Sequence, residues 1–141
     1  LDIRSSVNIS NSVVQLSGNH GVYVKSASTD SILFQNVRIT KCDDVSFFID
    51  QGNVELNWID ISKGKSVGLV NNAFGSVLID NLKITDHSDN GIMNYGHLNA
   101  SNIFVSKNRH GIVLSPGIGI ITNAKIVKNR ANGLFDLTHM T

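Results

Sequence analysis

The sequence predicts an all-β solenoid, a chain wound as a coil of about six turns with three short strands in each. Three observations predict it: apolar positions recur about every 22 residues, they are spaced by two within each recurrence, and asparagine returns at one fixed corner. No stretch keeps the three-and-four spacing of an amphipathic helix, and no sustained series of hairpin turns supports a sandwich or barrel.

The recurrence is anchored by Val14, Val37, Ile59, Leu82, Ile103 and Ala124, each opening a segment such as Val37-Arg38-Ile39-Thr40 or Leu82-Lys83-Ile84-Thr85. The steps between them are 23, 22, 23, 21 and 21. Five residues before each stands the start of a first strand: Ile9, Ile32, Val54, Val77, Leu98 and Gly119. Its second inward position, two residues on, is Asn11, Phe34, Leu56, Ile79, Ala100 or Ile121. An offset of two is the strand period, so alternate residues face one way.

A step of three then breaks the period and marks a corner. Asn36, Asn81, Asn102 and Asn123 occupy it, with Val13 and Trp58 interrupting the column. Asparagine is among the residues that best tolerate a left-handed backbone, and stacked asparagines hydrogen-bond along a stack. The second strand follows, closed by Leu16, Ile39, Ile61, Ile84, Val105 and Ile126. After a longer polar turn comes the third strand: Gly21-Val22-Tyr23-Val24, Asp44-Val45, Gly68-Leu69-Val70, Gly91-Ile92-Met93, Gly111-Ile112-Val113-Leu114 and Gly133-Leu134-Phe135. Successive turns pair in parallel about 4.8 Å apart, giving a rod on the order of 30 Å long.

The asparagine corner and the "NGI"-type strand starts resemble the right-handed parallel β-helix of the pectin lyase-like superfamily, over nearly the whole chain. The shaft domain of a bacteriophage tailspike or appendage is the nearest likeness. Terminal rungs of such a fold expose unpaired edges and an open core, and no capping amphipathic helix is evident. Residues 1–141 are therefore expected to be a single β-helix domain without intrinsic caps, a segment of a longer protein or one chain protected in an oligomer, for which a homotrimer is the expectation. Leu1-Asp2-Ile3-Arg4 does not follow the plan of a signal peptide.

Composition narrows the partners. Twelve basic against eleven acidic residues leave a net charge of +1, so no overall field favours nucleic acid or an anionic membrane. No apolar run is long enough to insert into a bilayer. The single Cys42 excludes an internal disulfide.

Several motifs prove empty. Gly64-Lys65-Ser66-Val67-Gly68 fits a nucleophile-elbow spacing, but no helix follows. The same residues imitate the end of a P-loop, whose first glycine would have to stand at Ile59. Trp58-Ile59-Asp60 is similar to a tryptophan-containing pectate lyase motif without its following histidine. The superfamily's Arg-x-Pro-x-x-Arg, Asn-Thr-Asp and Arg-Ile-Lys signatures are missing. Arg38, Asp60 and Lys83 on successive outward positions form a charge ladder worth little per exposed pair.

The turns before the third strand form the candidate site. Stacking brings Lys41-Cys42-Asp43-Asp44, Asp86-His87-Ser88-Asp89-Asn90 and Lys107-Asn108-Arg109-His110 into one strip. In β-helix enzymes acting on polysaccharides such a strip carries catalytic groups, so the resemblance points to it. Hydrolysis needs one carboxyl as acid and another as base or nucleophile. The candidate catalytic residues are Asp86, Asp89, His87, Asp43 and Asp44. Lys107, Arg109 and His110 are the candidate grips for an anionic sugar, with Tyr95 and Tyr23 as stacking platforms. Solvated turns are polar in any case, and His20 and His110 before glycines also suit a left-handed turn position. No cofactor is expected; calcium could bind Asp86, His87 and Asp89 only through oxygens.

Two functions follow. One is a polysaccharide-binding, polysaccharide-degrading shaft on a virion surface or outside the cell, cleaving by hydrolysis or lysis. The other is a non-catalytic structural or adhesive shaft, which the scarcity of glutamate in the strip favours. A secreted bacterial lyase or epimerase stands third.

Overall fold

The computed structural model describes residues 1–136, and among them there are eleven strands and no helix. In chain order these are β1 (Asp2–Ile3), β2 (Val7–Gln15), β3 (Val22–Lys25), β4 (Ile32–Thr40), β5 (Phe47–Ser62), β6 (Leu69–Thr85), β7 (Ile92–Asn94), β8 (His97–Ser106), β9 (Ile112–Leu114), β10 (Ile118–Val127) and β11 (Leu134–Asp136). Every pairing is parallel and joins a segment to its equivalent one turn later. The chain is a coil of about six turns with three faces. The long strands β5 and β6 are bent, each running from the third face round into the first two faces of the next turn.

The expected columns of the first two strands hold from the second turn onward. Leu82 sits between Ile59 and Ile103, and Ile92 between Leu69 and Ile112. Inward residues alternate with outward ones, so one narrow core runs the length of the coil. Phe34, Phe47, Leu56, Ile61, Ile84 and Ile112 are each at most 1% exposed in it. Burying a side chain of that size contributes roughly 1.5–3 kcal/mol, which makes the inward columns the main source of stability.

The first turn departs from expectation. Val14 pairs with Ile39 and Ser12 with Val37, a slip of two residues from the expected match of Val14 with Val37. Asn11, expected as an inward strand residue, is instead the left-handed corner (φ 48°) and heads the asparagine column. Asn36 donates to Asn11 Oδ1 at 2.7 Å. The third strand of the second turn also lies two residues later than expected. Ser46 stands opposite Gly21, and the strand runs through Phe47 and Phe48 rather than Asp44 and Val45.

A second left-handed corner closes each middle strand: Leu16, Lys41, Lys63, Asp86, Lys107 and Lys128 have φ of 55–62°. This corner turns the chain sharply into the polar turn. It therefore determines which turn residues point inward and which form the outer strip.

Candidate functional site

The residue just after the second corner points into the coil. Cys42, His87 and Asn108 occupy that place and are at most 1% exposed. They belong to an interior polar column. The His87 amide donates to Asn108 Oδ1 at 3.0 Å, and the Asn108 amide to Asn129 Oδ1 at 3.0 Å. The His87 ring meets Ser46 Oγ through Nε2 at 3.1 Å. The expectation that His87 belongs to the exposed strip is thus corrected: it faces the interior. Burial lowers its pKa from 6.5 to about 4, against the opposing pull of Asn108, the Thr85 backbone and Asp86. Burial likewise pushes the Cys42 thiol up.

The next residues do form a strip, and its carboxyls meet lysine, arginine or histidine side chains from neighbouring turns. Asp43 Oδ1 lies 2.8 Å from Lys65 Nζ, and Asp44 Oδ2 lies 3.3 Å from His20 Nδ1. Asp86 Oδ1 lies 3.8 Å from Lys107 Nζ, and Asp89 Oδ1 lies 3.8 Å from Arg109 Nη1. Asp86 and Lys107 are both left-handed corner residues, so conformation as well as charge sets their directions. Arg130 braces the strip from below, donating to the carbonyls of His87 (3.2 Å) and Ser88 (2.6 Å).

Beside the strip, the outward row of the third face is apolar: Tyr23, Phe48, Val70, Met93, Val113 and Phe135 in register. Its rings stack on one another. Tyr23 and Phe48 are 5.6 Å apart and 15° from parallel, and His20 covers both, 5.9 Å from Tyr23 and 5.1 Å from Phe48. The Arg4 guanidinium lies 5.1 Å from the Tyr23 ring centre. The Tyr23 hydroxyl donates to Asp50 Oδ2 at 2.9 Å, and that bond, with burial, raises the phenol's pKa. Asp50 is held low, chiefly by the Asn72 amide at 3.0 Å and further by Tyr23 and Lys25. Tyr95 packs against a small apolar cluster of Val45, Val67 and Val70, and His110 stacks on Phe135 at 5.7 Å. Tyr23 and Tyr95, expected as platforms, are therefore engaged by their own neighbours.

Among the described residues no group of three His, Cys, Asp or Glu side chains could hold a metal ion. Asp86 and Asp89 point along separate ion pairs while His87 turns inward, so the three do not converge on a calcium site.

A parallel coil with two left-handed corners per turn defines the class: a β-solenoid whose outer faces are free to carry function. A family model described as "right handed beta helix region" matches residues 2–141, and the chain belongs to that family. No curated protein and no solved structure matches it.

Trp58, Asp50, Asn72 and Phe48 form no part of the expected site. Trp58 alone carried a signal, as the one aromatic in the asparagine column. It is 64% exposed with a φ of 58°.

Proposed function

We propose that this β-helix binds a polysaccharide along its outer faces without cleaving it, in the manner of a tailspike or appendage shaft of the pectin lyase-like kind. The carrying observation is the ion-pair ladder: Asp43, Asp86 and Asp89 each face a lysine or arginine from another turn, and Asp44 faces the His20 ring. Hydrolysis requires a carboxylic acid ready to give a proton and a second carboxyl free to attack or to activate water. A ladder of surface pairs supplies neither, but it does present donors and acceptors at one-turn intervals beside an apolar row. A sugar chain, with hydroxyl edges and apolar faces, has the matching chemistry. A location outside the cell or on a virion surface, and assembly as a homotrimer, belong to the same proposal.

The test measures reducing-sugar release and binding on a panel of bacterial capsular polysaccharides. Binding without release is the expected result, retained in Asp89→Asn. Release that disappears in Asp86→Asn or Asp89→Asn would replace this reading with the enzymatic one. The self-stacked Tyr23, His20 and Phe48 rings favour a second reading, a purely structural shaft, since their faces are taken up within the chain. Absence of binding to every polysaccharide would select it.

A further inference from the structure

Trp58 is the chain's only tryptophan and stands where a tryptophan is costly. The equivalent corners are Asn11, Asn36, Asn81, Asn102 and Asn123, all left-handed with φ of 48–60°. A bulky residue is an outlier in that conformation, which costs an ordinary L-residue roughly 1–2 kcal/mol. Trp58 also interrupts the ladder, in which Asn36 donates to Asn11 and Asn123 to Asn102. Burial does not offset this, because the side chain is 64% exposed and no other ring of the described residues stacks on it.

The surroundings of Trp58 resemble a recognition surface. It stands between two open grooves of about 270 and 350 Å³. Asp60 lines both. Its Oδ2 lies 3.8 Å from Arg38 Nε and 3.7 Å from Lys83 Nζ, while Oδ1 is shut off from solvent with no hydrogen-bond partner. The larger groove ends at Phe104, which follows Asp60 and Lys83 in register two turns on, roughly 9.6 Å away along the stack. Lys125 lies 6.0 Å from the centre of that ring.

We infer that Trp58, Asp60 and Phe104 form a glycan-binding site on the edge of the coil, separate from the turn strip. One pyranose stacks its apolar face on the Trp58 indole, and its hydroxyls donate to the solvent-facing side of the Asp60 carboxylate, whose side chain is 31% exposed between Arg38 and Lys83. The turn spacing is close to the length of one sugar residue, so the second sugar lies beside Lys83 and the third reaches Phe104. A single-stranded nucleic acid would also stack on such rings, but its phosphates would meet the Asp60 carboxylate. Five residues of extended chain, about 16 Å, separate Trp58 from the strip corner at Lys63. The site rests on the carbohydrate reading for its ligand class, and on its own geometry for its place.

The intact chain is titrated with size-fractionated capsular oligosaccharides by calorimetry and by the emission of its single tryptophan. Oligosaccharides that give binding heat are expected to shift Trp58 emission to the blue. Trp58→Asn installs the residue found at the equivalent corners, so it is expected to fold. It should weaken binding by about tenfold or more, the equivalent of roughly 1.4 kcal/mol. Asp60→Ala should weaken binding similarly. Binding heat without an emission change, with full affinity in Trp58→Asn, would overturn this site and leave the carbohydrate reading standing. No heat from any oligosaccharide would remove both. An emission shift given only by a single-stranded oligonucleotide would overturn the ligand class.

Discussion

A histidine in a polar turn is ordinarily solvated, but Gly64 on the preceding turn leaves room for the His87 ring to fold inward. A Cβ at Gly64 would lie 2.6 Å from His87 Cδ2 and 2.8 Å from Nε2. The ring is thereby committed to its neutral form. Above pH 6.5 it is uncharged whether the chain is folded or not. Between 6.5 and about 4 the unfolded chain takes up a proton that the fold refuses, so stability falls as pH drops through that window. From pH 7.5 to pH 5 the loss should be about 2 kcal/mol, measured as the change in urea-unfolding free energy. In His87→Gln, which keeps a polar reach toward Ser46, most of that pH dependence should vanish. Equal acid sensitivity in both proteins would show that other groups cause it.

At the scale of the element, what was legible in the sequence depended on whether a position's chemistry differs from that of its neighbours. Alternating Ile, Val and Leu placed the inward columns of the first two strands correctly from Ile32 to Val105, because only burial explains that spacing. The first turn was misread because Asn11 fits a strand column as well as a corner, and the hydrogen bond to Asn36 decides between them. Ser46 hid the third strand of the second turn by standing where other turns have glycine. The second corner was illegible, since lysine at φ near 59° carries no sequence signal. The strip was located, but neither its ion pairing nor the inward turn of His87 could be read without the corner. The asparagine corner itself can be tested at Asn36. Asn36→Ala removes the bond to Asn11 and puts a Cβ residue without local hydrogen bonding at φ 53°. Asn36→Gly loses the same bond but tolerates the backbone. The alanine variant should be less stable than the glycine variant by about 1 kcal/mol in urea unfolding. Equal stability of the two variants would mean that the left-handed backbone carries no cost here and that the hydrogen bond alone accounts for the column.

For the whole molecule, each turn packs mainly on the turns beside it, so stability is close to a sum of per-turn contributions and nearest-neighbour couplings. This is unlike a globular core, where most buried residues share neighbours. Ile61 and Ile84 are fully buried partners in register on adjacent turns. Ile39 and Ile112 are equally buried but three turns apart, roughly 14 Å along the stack. Each single replacement by alanine should cost about 2–5 kcal/mol. The pair Ile61→Ala with Ile84→Ala should depart from additivity by at least about 0.5 kcal/mol, because the second cavity opens onto the first. The pair Ile39→Ala with Ile112→Ala should add within about 0.5 kcal/mol while the coil unfolds as one unit. Strong coupling between the distant pair would mean that the core behaves as a single packed volume, and the picture of a coil stabilised turn by turn would have to be abandoned.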